Sequence, residues 1–386
     1  GAPTVTLTDN NAGATGEESV AEDASISSKT FVITAPDGLD ELSIGAETFS
    51  AAALATATPG APLTVTGTEG VLTVTGYNPS SGVVTYSYDP TGTAKNHVGE
   101  ISESLLITVK DSDGTTASDT LDILITDTAP VANDDVDATT AVSNATGNVR
   151  TDVGSGADVD GADAATITGV QAGDAGAADV VGNVATAVAG TLGTLSIDAA
   201  GVYTYIPGAG AAALAQGATA TDTFSYTLKD ADGSFSTATV VINVTGTNEA
   251  PQAVLSDVST NEDVVYEFSS ADFGYSDVDT GDSLTQIRIE NLPSDGVLTL
   301  NGSPVSVGQV ITTAEINAVS PTGLVFTPDP HESGSNAFTD NGTGDQKVDY
   351  AKFDFSVHDG IEWSATTATM TVDVNPVADA PSVVVT

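Results

Sequence analysis

Carboxylates are the one chemistry this chain offers in quantity, and they recur at fixed places. The run Leu105 to Lys110 ends in Asp111-Ser-Asp113-Gly114. The run Phe224 to Lys229 ends in Asp230-Ala-Asp232-Gly233, and Phe353 to His358 ends in Asp359-Gly360. Each phrase reads as a β-hairpin with an acidic turn, and each is followed by an alternating strand and an Ala-Pro step. Further acid lies beside those steps: Asp127, Asp134 and Asp135 at one, Asn248 and Glu249 at the next, Asp379 at the last. Oxygen ligands brought together from separate segments suit calcium, which takes about 6–8 of them with tolerant geometry. Taken singly, Asp-x-Asp-Gly is also ordinary turn chemistry, since Asp and Gly fit the backbone angles of a hairpin. Recurrence beside acidic linkers is what favours a cation.

Other chemistry is sparse. His97, His331 and His358 are far apart, and His358 stands where the phrase otherwise has lysine. There is no Gly-x-Ser-x-Gly elbow, no His-Glu-x-x-His pair and no phosphate loop. Counting alone does not decide against a paired-carboxylate hydrolase, but nothing in the motifs points to an enzyme, and none is expected. Trp363, the single tryptophan, falls in the last hairpin, where a packing role outweighs sugar stacking. With 53 acidic and 8 basic residues the formal net charge is −45. That charge excludes nucleic acid and anionic membrane surfaces as partners, because both demand a basic face. No apolar run approaches membrane-spanning length, so no membrane insertion is expected of this segment. Cysteine is absent, so any staple between loop-rich units has to be something other than a disulfide.

The elements that must position the acid are strands. Segments such as Val71 to Thr75, Val83 to Tyr88, Leu121 to Thr126, Thr223 to Leu228, Thr237 to Val244 and Thr366 to Val374 alternate or are rich in β-branched residues. Short helical turns are expected at 51–55, 209–215 and 313–318. The Ala-Pro steps at Pro3, Pro130, Pro251 and Pro381 are 127, 121 and 130 residues apart, enough for each unit to bury its own core. The expected fold is all-β: three tandem antiparallel β-sandwich domains of Ig-like plan in an elongated array. The units are 1–128, 129–249 and 250–379, with 380–386 opening another repeat. The chain starts and stops at such boundaries, as a piece of a longer array would.

Two units resemble known repeats. The second has Ala132-Asn-Asp-Asp135, Ala157-Asp-Val-Asp-Gly161, Gly201-Val-Tyr-Thr-Tyr-Ile-Pro207 and Asp222-Thr-Phe-Ser-Tyr-Thr-Leu-Lys-Asp-Ala-Asp-Gly233. It is similar across nearly its whole length to the VCBS repeat of very large bacterial adhesins. The third has Asp277-Val-Asp279, Asn291-Leu-Pro-Ser-Asp-Gly-Val-Leu-Thr-Leu-Asn-Gly302 and Leu324-Val-Phe-Thr-Pro328, and resembles the cadherin-like repeats of the same adhesins. The resemblance implies type I secretion, an RTX-type parent protein at the bacterial cell surface, and folding in extracellular calcium.

On a seven-stranded sandwich the acid falls at the ends. At the first joint, Asp158, Asp160, Asp230 and Asp232 face Asp127, Asp134 and Asp135, with Glu22 and Asp23 from the unit before. At the second, Asn248 and Glu249 meet Asp277, Asp279 and Asp359; Glu262 and Asp263 sit at the far end near Asp379. The expected function is a calcium-stabilised extender of an adhesin, its repeats partnering one another and projecting a distal module in cell adhesion or biofilm. Two other readings stand beside it. One is a module binding a glycan or protein surface ligand through the long 329–349 segment of the third unit. The other is a subunit of a surface filament or S-layer.

Overall fold

A computed structural model describes residues 1–10, 16–90, 97, 99–151 and 156–378. Asp379 and the segment 380–386 lie outside the described residues.

Three separate hydrophobic cores form along the chain. One runs from Val20 to Ile125, one from Ala141 to Val244 and one from Val258 to Val374. Each is enclosed by two sheets. Around the first core, five strands in the order Thr4–Thr6, Ile26–Thr34, Val83–Pro90, Gly70–Asn78, Leu63–Thr66 face five in the order Glu18–Ala21, Thr116–Thr126, Ile101–Asp111, Leu39–Ile44, Glu47–Ser50. Around the second, Asp135–Thr140, Phe235–Thr245, Thr219–Lys229, Thr166–Ala172 face Ala145–Asn148, Val202–Pro207, Gly193–Ile197, Val188–Ala189. The third repeats the plan, with Ser256–Asn261, Ala368–Asn375 and Ala351–His358 heading one sheet. The chain is thus all-β in tandem sandwiches, as its pattern predicts. Short helices stand at Ala51–Ala55, Ala209–Ala212 and Thr313–Ile316.

Most pairs are antiparallel; besides the short parallel pair Asp340–Thr343 with Lys347–Asp349, one parallel pairing recurs in every sandwich. Glu18–Ala21 runs parallel to the end of Thr116–Thr126, Asp135–Thr140 to Phe235–Thr245, and Ser256–Asn261 to Ala368–Asn375. Both members of each pair travel from the entry of a sandwich to its exit, so they can pair only in parallel.

The repeated phrase owes its position to strand alternation. In Ile101–Asp111 the inward row is Glu103, Leu105, Ile107, Val109, Asp111. In the second sandwich it is Asp222, Phe224, Tyr226, Leu228, Asp230, and in the third it runs Phe353, Phe355, Val357, Asp359. With a period of two, the row that fills the core also carries an aspartate to its end. That aspartate is therefore buried: Asp111, Asp230 and Asp359 are 0%, 9% and 8% exposed.

The other end of the row is structural. Asp222 accepts the amides of Thr191, Leu192 and Gly193 at 2.7–2.9 Å and the Tyr205 hydroxyl at 2.8 Å. Glu103 does the same for Thr68, Glu69 and Gly70. The turns press so close that a Cβ on Gly190 would stand 2.6 Å from Asp222 Oδ2. These two carboxylates close turns and have nothing left over for an ion.

Candidate acidic joints

The first joint gathers acid from three stretches of sequence. Asp127 comes from the linker, and Asp230 and Asp232 come from the hairpin turn of the second sandwich. Their carboxylate oxygens approach within 4.8 Å of one another. The hairpin places them: Asp230 accepts the Gly233 amide and Asp232 the Ser234 amide, while the Ser234 hydroxyl reaches across to Asp127 Oδ2 at 2.6 Å. Gly233 supplies the left-handed turn residue, at φ 112°. Glu22 enters from the first sandwich, 1% exposed; its Oε1 accepts the Thr128 amide at 2.9 Å. Asp23 stays exposed, 3.5 Å from the Thr128 hydroxyl.

Electrostatics at this joint are unfavourable without a counter-charge. Burial, then the neighbouring Asp232, push the Asp230 carboxyl up to about 6. Asp232 is held below its usual range by its bond to Asp230 and the Ser234 amide, against its own burial. Burial also raises Glu22. Two like charges this close divide the work, one keeping its proton longer.

The remaining predicted ligands of this joint have other partners. Asp158 and Asp135 gather at the Tyr226 hydroxyl, 3.2 Å from each, and Asp158 also accepts the Asn133 amide at 2.8 Å. Asp134 accepts the amide and hydroxyl of Thr239 and ties the linker to the last strand. Asp160 is paired with Arg150. The structure therefore brings together Glu22, Asp127, Asp230 and Asp232, and turns Asp134 and Asp160 to partners within the second sandwich.

At the second joint Asp277, Asp282 and Asp359 form an equivalent triad within 4.8 Å. Asn248 donates to Asp359 Oδ2 at 3.2 Å, and the Glu249 amide donates to Asp279 Oδ2 at 2.9 Å, so both linker residues are bound to the third sandwich. The Thr280 amide adds a direct bond to the Ala213 carbonyl of the second sandwich at 3.1 Å. Burial raises Asp359, but the amides of Glu362 and Ile361 outweigh it and hold the carboxyl below its usual range. Glu249 is raised by burial and by Asp279. Asp282 was not anticipated from the sequence; it belongs to no repeated phrase and stands three residues beyond Asp279.

Two further groups complete the distribution. At the entry of the first sandwich Asp37, Asp111 and Asp113 form a third triad. Asp111 and Asp113 are the first copy of the phrase, which was the available signal. At the exit of the third sandwich Glu262 accepts the Val377 amide at 2.6 Å, and Asp263 holds the His331 amide at 3.0 Å. Glu262 there repeats Glu22: the backbone amide of each bonds to the last strand, at Asn375 and Thr126 respectively. The second sandwich has Ala141 at this position, bonded to Thr245.

The donor set fits a hard divalent cation. Asp127 Oδ1, Asp232 Oδ2, Glu249 Oε2, Asp279 Oδ1 and Asp111 Oδ2 are buried and accept no hydrogen bond. Buried acceptors of this kind are rare and costly unless something positive faces them.

Residues 127–246 match the family described as Bacterial cadherin-like domain. The cadherin-like match thus falls on the second sandwich, where the sequence suggested a VCBS repeat. Among solved structures, mouse cadherin-23 EC22-24 is 15% identical, covers 97% of this chain and 99% of its own, and has a TM-score of 0.35. Protocadherin gamma B2 extracellular cadherin domains 3-6 is 13% identical over 98% and 76%, with a TM-score of 0.31. Mouse protocadherin-24 EC1-3 is 12% identical over 93% and 96%, with a TM-score of 0.34. Likeness at that level bears on neither ligands nor partners. No curated protein matches the chain. Among the described residues no helix is long and apolar enough to cross a membrane.

Proposed function

We propose that this chain is a spacer segment of a secreted bacterial surface adhesin, divided near residues 128 and 249 into three repeats whose joints are locked by calcium. The observation that carries the reading is the set of buried carboxylate oxygens without donors at both joints, each joint drawing on linker and sandwich together. Glu22, Asp127, Asp230 and Asp232 would hold an ion at the first joint, and Asn248, Glu249, Asp277, Asp279, Asp282 and Asp359 at the second. Calcium would supply positive charge shared between two sandwiches, turning mutual repulsion into a clamp. The cadherin-like match over residues 127–246 supports an extracellular adhesive setting. The role is mechanical projection of a binding module, without catalysis.

Chelation tests this directly. With excess chelator the chain should melt lower and its small-angle scattering should show hinging at the joints, and calcium should restore both. Melting and scattering indifferent to chelator would end the proposal.

A further inference from the structure

His97 is packed into the first joint, although no motif or spacing places it there. Its side chain is 8% exposed and that of Glu22 is 1% exposed, with Nε2 3.4 Å from Glu22 Oε2. Neither ring nitrogen has a hydrogen-bond partner, and Glu22 Oε2 accepts no hydrogen bond. The ring also lies near enough to Asp232 to favour its ionised form. Buried imidazole nitrogens without hydrogen bonds are costly, and the contact with Glu22 leaves both Nε2 and Oε2 unsatisfied in that sense, so the arrangement asks for an occupant.

The geometry says what kind. A separation of 3.4 Å is long for a hydrogen bond. It is the spacing of two ligand atoms on one small cation: bonds of about 2.0–2.1 Å in a tetrahedral array set neighbouring ligands roughly 3.3–3.4 Å apart. An imidazole nitrogen suits zinc, nickel or copper, whereas calcium prefers oxygen throughout. The second joint has no counterpart. His358 beside it turns Nδ1 to the Gly360 amide at 2.9 Å and packs its ring on Trp363.

We propose that the first joint contains a further cation position, built on His97 Nε2 and Glu22 Oε2, which selects zinc or a similar borderline metal over calcium. The inference rests on the reading of the joints as calcium clamps and adds that the first joint takes a second metal of a different kind.

Calorimetric titration with zinc and, separately, calcium tests it, using the whole chain and His97→Ala, each in a His331→Ala/His358→Ala background that removes the other imidazoles. Cobalt(II) absorption gives an independent readout of nitrogen ligation. Zinc should bind the parent, and His97→Ala should weaken it at least about tenfold and abolish the nitrogen-dependent cobalt spectrum. The calcium isotherm should stay where it was. Calcium binding intact with zinc affinity unchanged by His97→Ala overturns the histidine position and leaves the clamp standing. Binding of neither cation overturns both.

Discussion

Replacing Asp230 by Asn should change the sign of its effect when calcium is added. In the metal-free joint the folded-state pKa of Asp230 is raised from 3.8 to about 6, chiefly by burial and then by Asp232. A carboxyl raised on folding contributes stability below its unfolded pKa and loses it as pH climbs from about 4 to about 6; above that the loss is constant. Two pKa units set a ceiling of about 3 kcal/mol on the cost at pH 7, and solvent at the joint brings the working figure to about 1 kcal/mol. Asn keeps an oxygen for the Gly233 amide and removes the charge. With chelator at pH 7, Asp230→Asn should therefore melt above the parent by about 4 °C, and the advantage should fade as pH falls from 6 to 4. Calcium at about 10 mM, against extracellular-type dissociation constants of about 10⁻⁴–10⁻³ M, adds about 1.4–2.7 kcal/mol to the parent. The variant gains little at this joint, so the order reverses. Scanning calorimetry across pH 4–8 with and without calcium reads both halves. A variant that melts below the parent in chelator at pH 7, or gains as much from calcium, refutes the reasoning.

Other substitutions separate the acid by role. Asp222→Ala strands three amides and the Tyr205 hydroxyl, and should cost the second sandwich about 3–5 kcal/mol in denaturant unfolding, with or without calcium. Asp160→Asn, which removes only the partner of Arg150, should change stability by no more than about 1 kcal/mol and leave calcium titrations unaltered. Ala141→Glu restores at the second joint the carboxylate that Glu22 provides at the first, and should raise the calcium affinity of that joint in calorimetry. Metal-free hinging in the parent should accordingly begin at the second joint as calcium is withdrawn, which scattering during a chelator titration would show.

The sheet architecture was legible because alternation is local. Leu105, Ile107 and Val109 announce their inward row within six residues, and the same phrase carries Asp111, Asp230 and Asp359 to the ends of the sandwiches. Glu22 was legible too, since strand direction alone puts the first turn of a sandwich at its exit. What could not be read was competition between partners. Asp160 faces an arginine ten residues away, and Asp134 is closer to Thr239, more than a hundred residues on, than to the joint. Asp282 contributes through folding of an irregular segment, which leaves no periodic trace. Asp111 and Asp113 carried the repeated signal, but no acidic residue stands beside Ala2-Pro3 to point at them.

The parallel pairs decide how such a chain would bear load. Tension on the two ends of a sandwich pulls its entry strand and its exit strand in opposite directions along their shared axis. Their hydrogen bonds are then loaded side by side in shear, and must give way together instead of peeling one at a time. The shared register spans four residues in the first sandwich, Glu18 to Ala21, but six in the second and six in the third. Under a steady pull the first sandwich should yield before its neighbours, making it the extensible link in an otherwise stiff series.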